Sequence, residues 1–158
     1  MSFTLSLHNI SCERDDRVLF SGLSATFAPG DLVQVVGPNG AGKTTLLKII
    51  TGLSSRYEGE ITWQGQRVPN YDFASALLYL GHATGVNTSL TPLENIRWYF
   101  GLHGAKSIGH KVVTEQAMIA ALAQVGLAGY EYVPCYQMSA GQQRRVALAR
   151  LYLSQAPV

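Results

Sequence analysis

The segment Gly37-Pro38-Asn39-Gly40-Ala41-Gly42-Lys43-Thr44 places glycines at its first and sixth positions, followed by a lysine and a hydroxyl residue. That is the pattern G-x-x-x-x-G-K-[ST], and each residue type has a physical reason to be there. Glycine lets the backbone turn its N–H groups inward and approach an anion closely. A helix starting just after the loop adds unpaired N–H groups and the positive end of its dipole. Lys43 is placed to meet the β- and γ-phosphates of a nucleoside triphosphate as a point charge, and the Thr44 hydroxyl to bind Mg²⁺. Gly37, Pro38, Asn39, Gly40, Ala41, Gly42, Lys43, Thr44 and Thr45 therefore form the candidate nucleotide-binding set, with a nucleoside triphosphate and Mg²⁺ as expected cofactors.

A second constellation is Gln137-Met138-Ser139-Ala140-Gly141-Gln142-Gln143-Arg144-Arg145, followed by Val146-Ala147-Leu148-Ala149-Arg150. A serine and a glycine at the start of a helix make an anion site of their own. Taken alone, Ser139 is equally a plain N-cap before an amphipathic helix.

Both loops need elements to hold them. Phe3, Leu5 and Leu7 alternate with polar residues, as do Leu23, Ala25 and Phe27, and Ile61 and Trp63; these are half-buried strands. Pro29-Gly30 is a turn. Asp31 to Val36 is mostly apolar and reads as a strand covered on both faces, leading into the phosphate loop. Thr44 to Ile50 reads as the helix after it, and Leu77 to Leu80 as a short strand. Thr91-Pro92-Leu93-Glu94 is a helix start with a capping box. Lys111 to Val125 reads as a helix with Val113, Ala117, Ala121 and Val125 on one stripe. A last helix runs from Ser139 to about Leu153. The expected fold is α/β: a mixed sheet with an antiparallel part and a helical insert.

The chain has 158 residues, 47% hydrophobic and 14% charged, which suits one globular domain. A net charge of +2 with scattered basic residues gives no electrostatic case for nucleic acid. The two cysteines, Cys12 and Cys135, form no C-x-x-C pair, and His8, His82, His103 and His110 show no metal-ligand spacing. No apolar run reaches the ~20 residues that span a bilayer. The amino terminus lacks a secretion-signal pattern, so a cytoplasmic chain is expected, reaching a membrane only through partners and not by insertion.

With the phosphate loop upstream, Met138-Ser139-Ala140-Gly141-Gln142 resembles the signature motif of ATP-binding-cassette (ABC) domains, usually L-S-G-G-Q. Met138 and Ala140 depart from that form, while Ser139, Gly141 and Gln142 match. The segments Cys12-Glu13-Arg14-Asp15-Asp16-Arg17, Tyr79-Leu80-Gly81-His82-Ala83-Thr84-Gly85-Val86-Asn87 and Leu90-Thr91-Pro92-Leu93-Glu94-Asn95-Ile96, with Ser139-Ala140-Gly141-Gln142-Gln143-Arg144-Arg145, look like the ATP-binding subunit of the heme exporter of bacterial cytochrome c maturation.

The resemblance implies a P-loop NTPase of ABC type over residues 1–158, with a helical subdomain at about 85–138. It implies an ATP-sandwich homodimer in which Ser139, Ala140, Gly141 and Gln142 meet the nucleotide held by the other subunit. Integral membrane transporter subunits on the cytoplasmic face of the inner membrane would be its partners. Arg14 falls where the family stacks an aromatic residue on adenine; it reads either as a stacking guanidinium or as part of a solvated turn. His82 falls at the place of the Q-loop glutamine, near Mg²⁺ and the attacking water, and otherwise reads as a surface loop histidine. The chain stops where the family's Walker B strand begins, so the cassette is expected to be incomplete at its carboxyl end and slow to hydrolyse ATP alone. A soluble ABC protein acting on ribosomes or nucleic acid, or a non-catalytic truncated product, are the competing readings.

Overall fold

The computed structural model describes residues 4–102 and 113–154. The expectations at Phe3, His103, His110 and the Lys111 helix start fall outside those residues. The chain divides into two compact units between Leu77 and Leu78.

The first unit is built on a long hairpin, β1 (Leu5–Arg14) and β2 (Arg17–Phe27), pairing antiparallel from Leu5↔Phe27 to Arg14↔Arg17. Asp15 and Asp16 make its two-residue turn with φ of 54° and 57°. Positive φ at both central residues matches the right-handed twist of the flanking strands, and aspartate tolerates it. After helix α1 (Lys43–Ile50), strand β3 (Glu58–Trp63) pairs with the other edge of β1, and β4 (Gln66–Arg67) with β3. The sheet order is β2-β1-β3-β4, all antiparallel. Short helix α2 (Tyr71–Ser75) is capped by Asn70, whose side chain accepts from Phe73 N at 2.8 Å. The core gathers the alternating residues Leu5, Leu7, Ile61 and Trp63 with Leu46 and Ile49 of α1 and Phe73 of α2. Trp63 and Phe73 meet tilted, with ring centroids 5.7 Å apart.

The second unit is helical: α3 (Pro92–Leu102), α4 (Glu115–Gln124), a 3₁₀ turn (Cys135–Gln137), α5 (Ala140–Leu148) and α6 (Arg150–Leu153). Its core joins Leu93, Ile96, Met118, Leu122, Leu127 and Val146.

Four expectations are corrected. Asp31 to Val36 forms no strand, and Leu32 is 100% exposed and Val36 75%. A doubly covered strand exists only where neighbours pair its backbone and cover its faces; among the described residues none pairs with this run. Leu77 to Leu80, half-buried, lacks a ladder partner for the same reason and is irregular. Of the helix expected over Lys111 to Val125, the described part is helical only from Glu115, because Thr114 is its N-cap: extended at ψ 155°, it accepts from Ala117 N through its hydroxyl at 3.2 Å. That helix buries Met118, Ala121 and Leu122, and of the expected stripe Ala121 is in the core while Val113 and Val125 pack half-buried against it. The last helix is two segments, divided at Ala149.

Candidate functional site

The phosphate loop leads into α1 through Gly42, which is the N-cap at φ 86° and carries no side-chain cap. A Cβ there would lie 3.1 Å from both Leu19 Cβ and Phe20 Cε1, so β2 walls the loop and excludes any larger residue. Gly37 and Gly40 also take positive φ, 156° and 84°. Internally the loop is held by Ala41 N donating to Pro38 O at 3.2 Å, and α1 begins with Leu46 N on Gly42 O at 2.8 Å. Lys43, Thr44 and Thr45 follow as the first helical residues, with no acidic residue in that turn. Their N–H groups precede the first i→i−4 bond, which leaves a concentration of donors at the positive end of the helix dipole.

Lys43 folds back over the loop and donates from Nζ to Gly37 O at 2.7 Å and Pro38 O at 2.8 Å. The ammonium thus sits above the loop backbone rather than trailing into solvent. Asn39, Gly40 and Thr44 are exposed, and Thr45 is half-buried. Thr44 offers one hydroxyl to a cation. Among the described residues there is no group of three His, Cys, Asp or Glu that could hold a metal.

Arg14 ends β1 beside the Asp15-Asp16 turn, its Nε 3.6 Å from Asp15 Oδ2, with side chains 70% and 92% exposed. A contact that exposed contributes little to stability. The hairpin that bears Arg14 is the one whose Leu19 and Phe20 wall the phosphate loop.

The second unit holds Ser139 and His82. Ser139 is the N-cap of α5 in a full capping box: its Oγ accepts from Gln142 N at 3.2 Å, and its N–H donates to Gln142 Oε1 at 2.8 Å. Gln142 is therefore spent on the cap, while Ala140 and Gly141 lie exposed at the helix start. His82 is exposed in an irregular loop, and its backbone joins the signature helix: Arg144 Nη1 lies 3.4 Å from both Gly81 O and His82 O.

Two bracing residues were missed in the sequence reading. Asn95 is 1% exposed. Its Oδ1 accepts from Asn87 N at 2.8 Å, and its Nδ2 donates to Asn87 O at 2.9 Å and Thr91 O at 3.0 Å, with Leu90 O at 3.4 Å and Cys135 Sγ at 3.5 Å. Backbone bonds Cys135 N to Leu90 O (3.0 Å) and Tyr136 N to Thr88 O (2.8 Å) run parallel to it. Gln143 Nε2 donates to Cys135 O at 2.9 Å and Met138 O at 3.2 Å. Together they fix the turn that delivers Ser139. The signal was available: Asn95 lies on the same helical face as Pro92, Leu93 and Ile96, all buried, and a polar residue on such a stripe must be fully bonded. Cys12 and Cys135 are both buried and unpaired. Burial pushes the Cys135 thiol above its ordinary range, which favours the protonated form.

A Gly-rich loop on a helix N-terminus, walled by an antiparallel hairpin, with a capped Ser-x-Gly-Gln turn on a helical unit, defines the class. The chain belongs to the ABC transporter family, whose model matches residues 20–158. More particularly, it is 58% identical over 154 residues to the cytochrome c biogenesis ATP-binding export protein CcmA of Saccharophagus degradans, which covers 96% of this chain and 69% of that protein. It is 54% identical over 156 residues to the protein of the same name from Hahella chejuensis, covering 98% and 71%. Among solved structures it resembles a putative ABC transporter ATP-binding protein from Pyrococcus furiosus, with a TM-score of 0.81 and 26% identity over 97% of this chain and 72% of that one. Among the described residues no helix is long and apolar enough to cross a membrane.

Proposed function

We propose that this chain is the ATP-binding subunit of an ABC exporter serving cytochrome c biogenesis, with heme as the exported cargo. The observation that carries the nucleotide part is the loop at the start of α1, where Lys43 Nζ rests 2.7 and 2.8 Å from two loop carbonyls beside unpaired helical N–H groups. The CcmA relatives, at 58% and 54% identity, support the export branch.

In this reading the residues from Gly37 to Thr45 hold the triphosphate of ATP, Lys43 exchanging its carbonyl bonds for phosphate oxygens, which are stronger acceptors for an ammonium. Thr44 contributes the protein ligand to Mg²⁺, whose chemistry is to draw charge from the β- and γ-phosphates. Arg14 lies over the base. Ser139, Ala140, Gly141 and Gln142 meet the nucleotide of a second copy of this chain, and His82 stands near the attacking water. Residues 1–158 act as one cassette with its helical part at about 85–138. The cassette drives integral membrane partners from the cytoplasmic face of the bacterial inner membrane.

Titrating the chain with ATP, with and without Mg²⁺, tests the nucleotide part. Wild type should bind, and Lys43→Ala should bind about a hundredfold more weakly, the scale of lost charge-assisted bonds. Equal affinity in the two would sink the assignment. For the cargo, a host lacking its own related subunit should regain c-type cytochromes when the gene is supplied, and supply of Lys43→Ala should not restore them.

A further inference from the structure

Arg150 opens α6 on the buried side of the helix, only 5% exposed. A buried guanidinium normally faces a carboxylate, because an unpaired cation is costly to desolvate. Among the described residues the ion pairs are Arg14–Asp15 and Arg97–Glu115, and neither involves Arg150. Its compensation is of another kind. The guanidinium lies 4.3 Å from the centroid of the Tyr99 ring on α3. Its Nη2 donates to Gly85 O at 2.9 Å, and its Nε is buried with no partner among the described residues. Gly85 takes φ 60°, and a Cβ there would stand 3.6 Å from Arg150 Nη1. The loop backbone is thus presented to the cation by a residue that adopts this conformation without strain. Arg144 reaches the other end of the same loop, at Gly81 O and His82 O.

We propose that Arg150, aided by Arg144, is a positioning residue: Arg150 fastens the 81–85 loop to the start of α6 and Arg144 fastens it to the signature helix α5, so that His82 keeps a fixed place relative to Ser139. The guanidinium suits this because it stacks on a ring and donates in its own plane at once, which an ammonium cannot do. The price in stability marks the role: a buried charge without a carboxylate contributes little to folding and is retained for where it holds the loop. The inference rests on the proposed ATPase reading only for the value of placing His82.

Hydrogen exchange of the whole chain tests it, comparing amides 82–87 with those of α4. In Arg150→Met the loop amides should exchange about tenfold faster or more while α4 is unchanged, because the opening is local. The melting temperature should stay level or rise, since a buried unpaired charge has been removed. Should Arg150→Met fail to fold, Tyr99→Leu gives the same pattern in weaker form. Unchanged loop exchange, or an equal rise in α4, would overturn the proposal. ATP titration of the same wild-type sample keeps the two readings apart: absent binding with a tethered loop refutes the nucleotide reading alone.

Discussion

The Gly-rich loop and the signature turn both end at a helix N-terminus, but they are built in opposite ways. The phosphate loop is made of backbone. Its shape comes from glycines at positive φ, its helix has no side-chain cap, and the chain before it, 31–36, is irregular and exposed. The signature turn is made of side chains: a reciprocal Ser139–Gln142 cap, Gln143 on two carbonyls, and Asn95 tying Asn87, Thr91 and Cys135 together behind it. On the proposed reading, a loop that wraps an anion closely has no room for bracing side chains and depends on conformational freedom. A turn that must present one hydroxyl at a fixed place can be braced from behind.

The contrast can be broken at graded cost. The largest expected loss of stability is Asn95→Ala, which leaves buried N–H and C=O groups unpaired and should cost ~3 kcal/mol in chemical denaturation. A loss below ~1 kcal/mol would mean the bracing is redundant. Next is Gly42→Ala, where positive φ and the 3.1 Å approach to Leu19 and Phe20 combine. About 1–2 kcal/mol is expected, with weaker ATP binding by calorimetry. An alanine that binds ATP normally would show that the loop does not rely on its backbone. Third, Ser139→Ala removes the cap and should cost ~1 kcal/mol. It should leave ATP affinity of the phosphate loop unchanged, which equilibrium binding would show.

The smallest effect concerns the start of α3. The Glu94 carboxylate accepts from Thr91 N at 2.8 Å, and that bond holds its pKa below the usual glutamate range. A depressed folded-state pKa means the stabilisation is full above the unfolded value and lost as pH falls through the folded one. The helix start should therefore weaken only in acid. Glu94→Gln should flatten that part of the stability profile between neutral pH and the acid range, while a parallel profile would remove Glu94 from the account.

Much of this was legible in the sequence because it is local. The alternation in β1, β2 and β3 needed only a period of two. The Thr91-Pro92-Leu93-Glu94 box formed as read, with Glu94 N on Thr91 Oγ1 at 3.2 Å. The phosphate loop and Ser139 cap were visible for the same reason: residues three to eight apart specify their own turn. The 31–36 and 77–80 runs were misread because a strand is a statement about neighbours, and apolar composition does not supply them.

By itself, then, the sequence determined the glycine pattern of the 37–44 loop, the cap that presents Ser139, and the family these two together define. Tertiary structure alone decided that Asn95 is the brace of the signature turn and that Arg150 reaches the loop of His82 across 65 positions of chain. It also decided that α5 and α6 part at Ala149. The reason is physical: a polar residue on an apolar stripe announces that it must be bonded, but only the packing of helices chooses the partner.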